Sequence, residues 1–300
     1  MKILLTGSNG LLGQKLVGLL RQQPGADVVA TARGTNRLAD LYPEVRFVPL
    51  DVTDAAQVRQ VLAEEQPTHL IHTAAMTQVD ECELNQAACW VQNVTAVEYL
   101  AGTCADLGIH LIHLSTDFIF NGLVGPLAED AVPDPISHYG ASKLAAERIV
   151  QATPGLRWAI ARTVLVYGTV HGGGRSNIVL WVRDSLRKGQ QIKVVADQWR
   201  TPTLAEDLAL GCWLLAQRNA QGIYHLSGRE LLTPYQMAQQ VAAFFSLDAA
   251  LLEQVDASTF TQPAKRPPRT GFIIEKAERE LGYSPSTFTE GIALLAQQSR

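Results

Sequence analysis

The sequence of 300 residues predicts an α/β fold, a doubly wound parallel sheet with a smaller C-terminal lobe. Three observations predict it. Over the first 165 residues, short apolar runs rich in Val, Ile and Leu alternate with longer amphipathic stretches, the pattern of strands covered by helices on both faces. A glycine-rich turn separates the first apolar run from the first amphipathic one. Beyond residue 165 the alternation weakens, and a glycine cluster at 172–174 and a Pro- and Arg-containing segment at 263–270 interrupt it.

Taken in order, strands are expected at 2–6, 27–32, 46–50, 69–73, 110–115 and 158–162, with helices near 11–22, 54–65, 85–107, 138–152 and 176–188. Six strands with intervening helices meet the requirement of a Rossmann-type dinucleotide fold. The helix at 138–152 has an apolar stripe at Leu144, Ala145, Ile149 and Val150, which packs and leaves another face free. Residues 1–165 therefore form the expected dinucleotide-binding domain. Segments 166–202 and 229–300 form a substrate-binding lobe, and 203–228, with helix and strand patterns of its own, returns to the main sheet.

Composition narrows the function. With 47% hydrophobic and 18% charged residues the chain is an ordinary globular protein, and a net charge of -4 without basic clusters points to a small-molecule partner, not to nucleic acid or a membrane. Cys82, Cys89, Cys104 and Cys212 form no CxxC pair, and the chain opens on a strand instead of a signal peptide, so reduced thiols in a cytoplasmic protein are expected. No apolar run approaches the ~18 residues that cross a bilayer. His69/His72 and His110/His113 lie in strands, where residues three apart face opposite sides, so neither pair can chelate one ion unaided and no metal is expected. A homodimer is left open.

The segment Ile3-Leu4-Leu5-Thr6-Gly7-Ser8-Asn9-Gly10-Leu11-Leu12-Gly13 places three glycines between strand and helix. Such a turn lets the backbone approach a pyrophosphate while the helix N-terminus adds amides and a favourable dipole. The second strand then ends Ala30-Thr31-Ala32-Arg33, with no carboxylate for a ribose 2′-hydroxyl. Arg33, with Arg37 as a second contact, favours NADPH over NADH, although a solvated arginine gives the same pattern. Asp51 and Val52 after the third strand border the adenine, or Asp51 caps a helix. Ala74, Ala75 and Met76 after the fourth leave room for the cofactor backbone, and equally suit tight packing.

Tyr139 and Lys143 are four apart on a predicted helix and project from one face. A neighbouring ammonium favours phenolate and brings a phenol of pKa near 10 toward neutrality, so Lys143 is expected to tune Tyr139 and to hold the nicotinamide ribose. The pair is common by chance and gains force from following the fifth strand, which ends Leu114-Ser115-Thr116-Asp117-Phe118 at the edge where open α/β sheets bind ligands. Thr116, with Ser115 as fallback, would hydrogen-bond a substrate carbonyl and the alkoxide that develops from it.

Together these motifs, with Asn93 in the helix after the fourth strand, resemble the extended short-chain dehydrogenase/reductase superfamily. Within it the chain is similar to the dTDP-4-dehydrorhamnose reductases. The likeness lies in Ala74-Ala75-Met76-Thr77, Val79-Asp80-x-Cys82-Glu83, Ser115-Thr116-Asp117-Phe118-Ile119-Phe120-x-Gly122 and Tyr139-Gly140-x-Ser142-Lys143-Leu144-x-x-Glu147. Arg162-Thr163, Val166-Tyr167-Gly168, Arg200-Thr201-Pro202-Thr203 and Arg266-Pro267 extend it over the chain. The resemblance implies NADPH-dependent reduction of a 4-keto-6-deoxy sugar nucleotide, as in dTDP-rhamnose biosynthesis, with a proton from Tyr139. It implies cofactor contacts at Gly7, Asn9, Gly10, Leu11, Leu12, Gly13, Asn93 and Ser115, and substrate contacts at Asp117, Phe118, Leu165 and Arg200. Phe118 and Leu165 depart from the Tyr and Trp frequent in that family. Related dehydratases carry Glu after the Asp, where this chain has Phe118, which argues against water elimination.

Two other classes share the pattern. The chain also resembles the regulatory subunit of methionine adenosyltransferase, which binds another protein with this fold, and a sugar-nucleotide epimerase uses the same Tyr and Lys. His171-Gly172-Gly173-Gly174 echoes a hydrolase oxyanion loop but lacks a Gly-x-Ser-x-Gly partner, so a flexible loop is expected.

Overall fold

Seven parallel strands form the central sheet, running from residues 222–225 at one edge through 158–163, 110–116, 69–72, 2–6 and 27–32 to 46–49 at the other. The computed structural model describes residues 1–173 and 176–298. In chain order the strands are β1 (Lys2–Thr6), β2 (Asp27–Ala32), β3 (Arg46–Pro49), β4 (His69–His72), β5 (His110–Thr116), β6 (Trp158–Thr163), β7 (Val166–Tyr167), β8 (Ile192–Val195), β9 (Thr203–Leu204), β10 (Gly222–His225) and β11 (Leu252–Val255). The helices are α1 (Leu11–Leu20), α2 (Ala55–Glu65), α3 (Val79–Leu84), α4 (Gln86–Trp90), α5 (Ala96–Leu107), α6 (His138–Ala152), α7 (Ile178–Arg187), α8 (Ala205–Gln217), α9 (Pro234–Phe244), α10 (Glu275–Leu281) and α11 (Phe288–Gln298). The direction of winding reverses beside β1, with β2 and β3 on one side and β4 on the other. That reversal opens a crevice at the C-terminal strand ends.

Alternation along each strand builds the two layers. Ile3 and Leu5 pack with Leu16, Val17 and Leu20 of α1 and with Leu208 and Cys212 of α8. Leu4, between them, faces Val58 and Leu62 of α2, Leu100 of α5 and Val150 of α6. Each fully buried Leu or Val of these layers stabilises by roughly 1.5–3 kcal/mol. Side chains start the helices where the first amides need acceptors. Asp54 accepts from the amides of Ala56 and Gln57 at the head of α2, and Thr233 and Gln236 form a reciprocal capping box on α9.

The predicted helix at 85–107 is broken by a π-helical turn at Val91–Thr95, preceded by the short α3 and α4. Segment 203–228 supplies α8 and the edge strand β10. A separate core of Tyr167, Val179, Val182, Val194, Met237, Val241, Phe288 and Ile292 joins α7, α9 and α11. Beside it lie two small parallel sheets, β8 with β11 and β7 with β9. Within the stretch expected to be lobe, Phe272, Ile274, Ala277, Leu281 and Tyr283 instead pack into the main-sheet core, where β10 and α8 leave an apolar flank to cover. No described helix is long and apolar enough to cross a membrane.

Candidate active site

The crevice at the reversal is a cleft of about 850 Å³. Its walls are Gly7, Asn9 and Gly10 after β1, Arg33 and Arg37 after β2, Asp51 and Val52 after β3, and Ala74, Ala75 and Met76 after β4, with Ala88 and Gln92 from the following helices. Gly7 has φ +73°, and a Cβ there would stand 2.8 Å from the Ala74 nitrogen, so only glycine makes this turn. Gly10 is the N-cap of α1, whose first turn presents the amides of Leu11, Leu12 and Gly13. A Cβ on Gly13 would lie 2.2 Å from the Gly7 carbonyl oxygen, so Gly13 serves close packing of α1 on the turn and is not a wall of the cleft. The half-buried Leu12 side chain packs against the core. A cradle that side chains would fill, an open helix N-terminus and two arginines at the opposite rim fit a dinucleotide.

Two polar residues act by holding the walls. The Asn9 amide donates to the Thr35 carbonyl at 2.9 Å and accepts from the Arg37 amide at 3.0 Å, tying the arginine loop to the glycine turn. Asn93, expected as a cofactor contact, is 1% exposed and is absent from the cleft wall. Its amide brackets the Met76 backbone at 2.8 and 3.0 Å and donates to Ser142 Oγ at 3.0 Å. The π-turn offers the physical reason, because it carries Asn93 inward between the β4 loop and α6. Asp51 does not cap α2. Bonds from the Thr53 amide and hydroxyl hold its carboxyl below the usual carboxylate range.

Tyr139 and Lys143 lie on α6. Ser137 caps this helix by accepting from the Gly140 amide, and Glu83 accepts from the His138 amide at 3.0 Å. A Cβ at Gly140 would sit 2.1 Å from the Phe118 carbonyl oxygen, so glycine lets α6 close onto the end of β5. There the Tyr139 hydroxyl stands near that of Thr116. Burial pushes the Tyr139 phenol above its ordinary value, the Thr116 hydroxyl opposes this and the Asp117 charge adds to it. Lys143, 4% exposed, is pushed down to about 8 by burial, against the pull of Glu147. Its Nζ lies 3.4 Å from His113 Nε2. The expectation that Lys143 lowers the Tyr139 pKa is thereby corrected: the ammonium turns to β5, and desolvation governs the phenol. Ser115 Oγ is buried without a hydrogen-bond partner.

The expected substrate residues divide. Phe118 packs edge-on against Tyr139 with ring centroids 5.7 Å apart. Leu165, at φ +38° and 41% exposed, lines a second cavity of about 430 Å³ with Tyr167, Asn177, Ile178 and Trp181. Asp117 and Arg200 are corrections, since both are buried and have internal partners. Asp117 accepts from the Thr116 and Thr270 hydroxyls. The Arg200 guanidinium donates to the carbonyls of Trp199 and Pro267, both at 2.7 Å, and lies 3.9 Å from Asp117. These contacts fasten the 267–270 segment to the end of β5. Other motif residues also pair at long range. Arg266 binds Asp80 at 2.6 Å, and Arg162 grips the fully buried Glu147 with two bonds at 3.0 and 2.8 Å. Sequence reading did not single out Trp181 and Asn177, which line the second cavity, or His113 as the neighbour of Lys143. Only the nearness of Asn177 to the glycine cluster could have signalled one of them.

His69 pairs across strands with His110, and His72 with His113, while the members of each sequence pair fall on opposite faces. Among the described residues no group of three or more His, Cys, Asp or Glu is placed to hold a metal ion. The loop beginning His171 is tied to α1 through Gln14, and Gly174 lies outside the described residues.

Sheet order and the meeting of Tyr139 with Thr116 define an extended short-chain dehydrogenase/reductase fold. Comparison with known proteins agrees. The chain belongs to the RmlD substrate binding domain family, whose model matches residues 1–300. It is 33% identical to a probable low-salt glycan biosynthesis reductase of Haloferax volcanii, over 98% of this chain and 97% of that one. It is also 33% identical to a dTDP-4-dehydrorhamnose reductase of Streptomyces griseus, over 94% and 88% of the two chains. A solved dTDP-4-dehydrorhamnose reductase of Bacillus anthracis in complex with NADP superposes with a TM-score of 0.83 at 27% identity, covering 99% of each chain. Methionine adenosyltransferase 2 subunit beta of Xenopus tropicalis is 31% identical over 85% of this chain and 75% of its own.

Proposed function

We propose that this protein is an enzyme that reduces a 4-keto-6-deoxy sugar nucleotide with NADPH. The observation that carries the reading is the meeting of Tyr139 with Thr116 at the C-terminal end of β5, the same end of the sheet at which β1, β2 and β4 border the cleft. Gly7, Gly10 and the first amides of α1 would hold the pyrophosphate, Asp51 and Val52 border the adenine, and Arg33 with Arg37 take a 2′-phosphate. Ala74, Ala75 and Met76 would flank the path to the nicotinamide, and Ser115 and Lys143, which lie outside the cleft wall, would meet its ribose. When bound, the nicotinamide supplies the hydride. Thr116 Oγ, turning its proton from Asp117 to the substrate, would hold the carbonyl oxygen, and the proton would pass from Tyr139 Oη to that oxygen as it becomes an alkoxide. The raised Tyr139 pKa keeps this proton in place until alkoxide develops. Residues 1–165 with 203–228 would serve the cofactor, while 166–202 and 229–300, apart from the stretch 272–283 that packs on the main sheet, would supply the substrate lobe, with Phe118 and Leu165 meeting the sugar nucleotide from the cofactor-domain side.

The purified protein is expected to oxidise NADPH with dTDP-4-keto-6-deoxy-L-mannose, and Tyr139→Phe should lower kcat by roughly 10²- to 10⁴-fold. An unchanged rate in that variant refutes Tyr139 as proton donor. The 31% identity to an adenosyltransferase subunit supports a second reading, as a protein-binding subunit. Stoichiometric capture of a methionine adenosyltransferase, with no NADPH oxidation on a panel of keto sugar nucleotides, would favour it.

A further inference from the structure

Under the active site, β1, β4 and β5 align three polar side chains in one row. The register sets Thr6 beside His72 and His72 beside His113. All three are at most 2% exposed. They share the sheet face covered by α5 and α6, because Leu4, Leu70 and Leu111, two residues earlier on each strand, pack there. Thr6 Oγ1 lies 2.8 Å from His72 Nδ1. The His72 and His113 rings stack with centroids 5.5 Å apart and planes 22° from parallel. His113 Nε2 is 3.4 Å from Lys143 Nζ. The row thus begins one residue before the glycine turn and ends on the lysine of the catalytic helix.

Burial holds both imidazoles neutral, with the Lys143 charge as a further cause, His72 falling to about 3 and His113 well below its ordinary value. A neutral imidazole has one donor and one acceptor nitrogen, and an ammonium only donates, so the nitrogen facing Lys143 is the acceptor. The other groups acting on Lys143 are Glu147 of α6, Cys89 of α4 and Cys82 of α3. Both Glu147 oxygens bind Arg162.

We propose that His113 is a positioning residue for Lys143: its Nε2 lone pair anchors the buried ammonium beneath α6, and His72, held by Thr6, fixes the ring that does so. This deepens the reading of Lys143 as part of the catalytic set and rests on it. The test is the titration of Lys143, followed by NMR of protein carrying 13Cε-labelled lysine, with Lys143→Arg for assignment. His113→Phe keeps a ring to stack and removes the acceptor, and is expected to lower the proton affinity of Lys143 about tenfold. His113→Gln, whose side-chain oxygen accepts, is expected to recover most of it. A Lys143 titration unmoved in folded His113→Phe overturns the proposal, and so do equal losses in the two variants. If His113→Phe does not fold, the 15N shifts of His113 in the unaltered protein decide: a proton on Nδ1 supports the proposal and a proton on Nε2 overturns it. Neither measurement needs a substrate. A protein without reductase activity would therefore leave the positioning role standing, and an unmoved titration would leave the reductase reading standing.

Discussion

Replacing Gly13 by Ala tests how the phosphate turn is held. The new Cβ would stand 2.2 Å from the Gly7 carbonyl oxygen and 2.7 Å from Ser8 Cα, both backbone atoms. Ordinary contact requires roughly 1 Å more. Gly7 cannot yield, because its φ of +73° and its approach to Ala74 already fix it, so α1 must move away. Overpacking of this kind costs about 1–3 kcal/mol, and with no flexible neighbour the upper end is expected. For a chain of this size that lowers Tm by about 5 °C. The same shift withdraws the amides of Leu11 and Leu12 from the cleft, and a displacement of about 1 Å weakens a positioned interaction by up to a hundredfold. Thermal unfolding by circular dichroism and NADPH titration by fluorescence read the two effects. Gly102→Ala is the control: it lies inside α5 with nothing within 4 Å of its added Cβ, and should stabilise by about 0.5–1 kcal/mol. A Gly13→Ala protein with unaltered Tm and NADPH affinity would show that contact between helix and turn does not shape the site.

Arg33→Ala should weaken NADPH about tenfold or more while leaving NADH little changed, since only the former carries a phosphate for the guanidinium; equal losses would remove Arg33 from the 2′-phosphate site. Glu147→Ala strands the Arg162 guanidinium, 3% exposed, inside the protein, and should destabilise by about 3–5 kcal/mol in urea unfolding. A loss under 1 kcal/mol would mean that Arg162 finds another partner. Stability should also fall in acid. His72 and His225 have pKa values lowered to about 3, and His113 is lowered as well, so the unfolded chain binds protons below about pH 6.5 that the folded chain does not. Each should cost about 1 kcal/mol between pH 7 and pH 5.5, and a urea midpoint constant over that interval would contradict their neutral burial.

Local pattern carried much of the fold. The six expected strands appear, with ends shifted by at most one residue, because apolar runs buried on both faces are continuous in sequence. The glycine turn and the Tyr139/Lys143 spacing were legible for the same reason, each lying within a single strand, turn or helix. The lobe was less legible. Helices α9, α10 and α11 pack on partners far away in sequence, and the π-turn that breaks 85–107 carries Asn93 to Met76 and Ser142, which lie outside the local pattern.

From the sequence alone came the parallel sheet, the phosphate turn and the residue types of the catalytic set, all of which depend on neighbours within about a dozen positions. Tertiary structure decided what those residues touch. It closed α6 onto β5 through Gly140, turned Lys143 to His113 and buried Arg200 and Asp117 against a segment about 70 to 150 residues further along the chain. Hydrogen bonds and desolvation act through space, and a pKa or a binding role follows the environment that distant segments assemble.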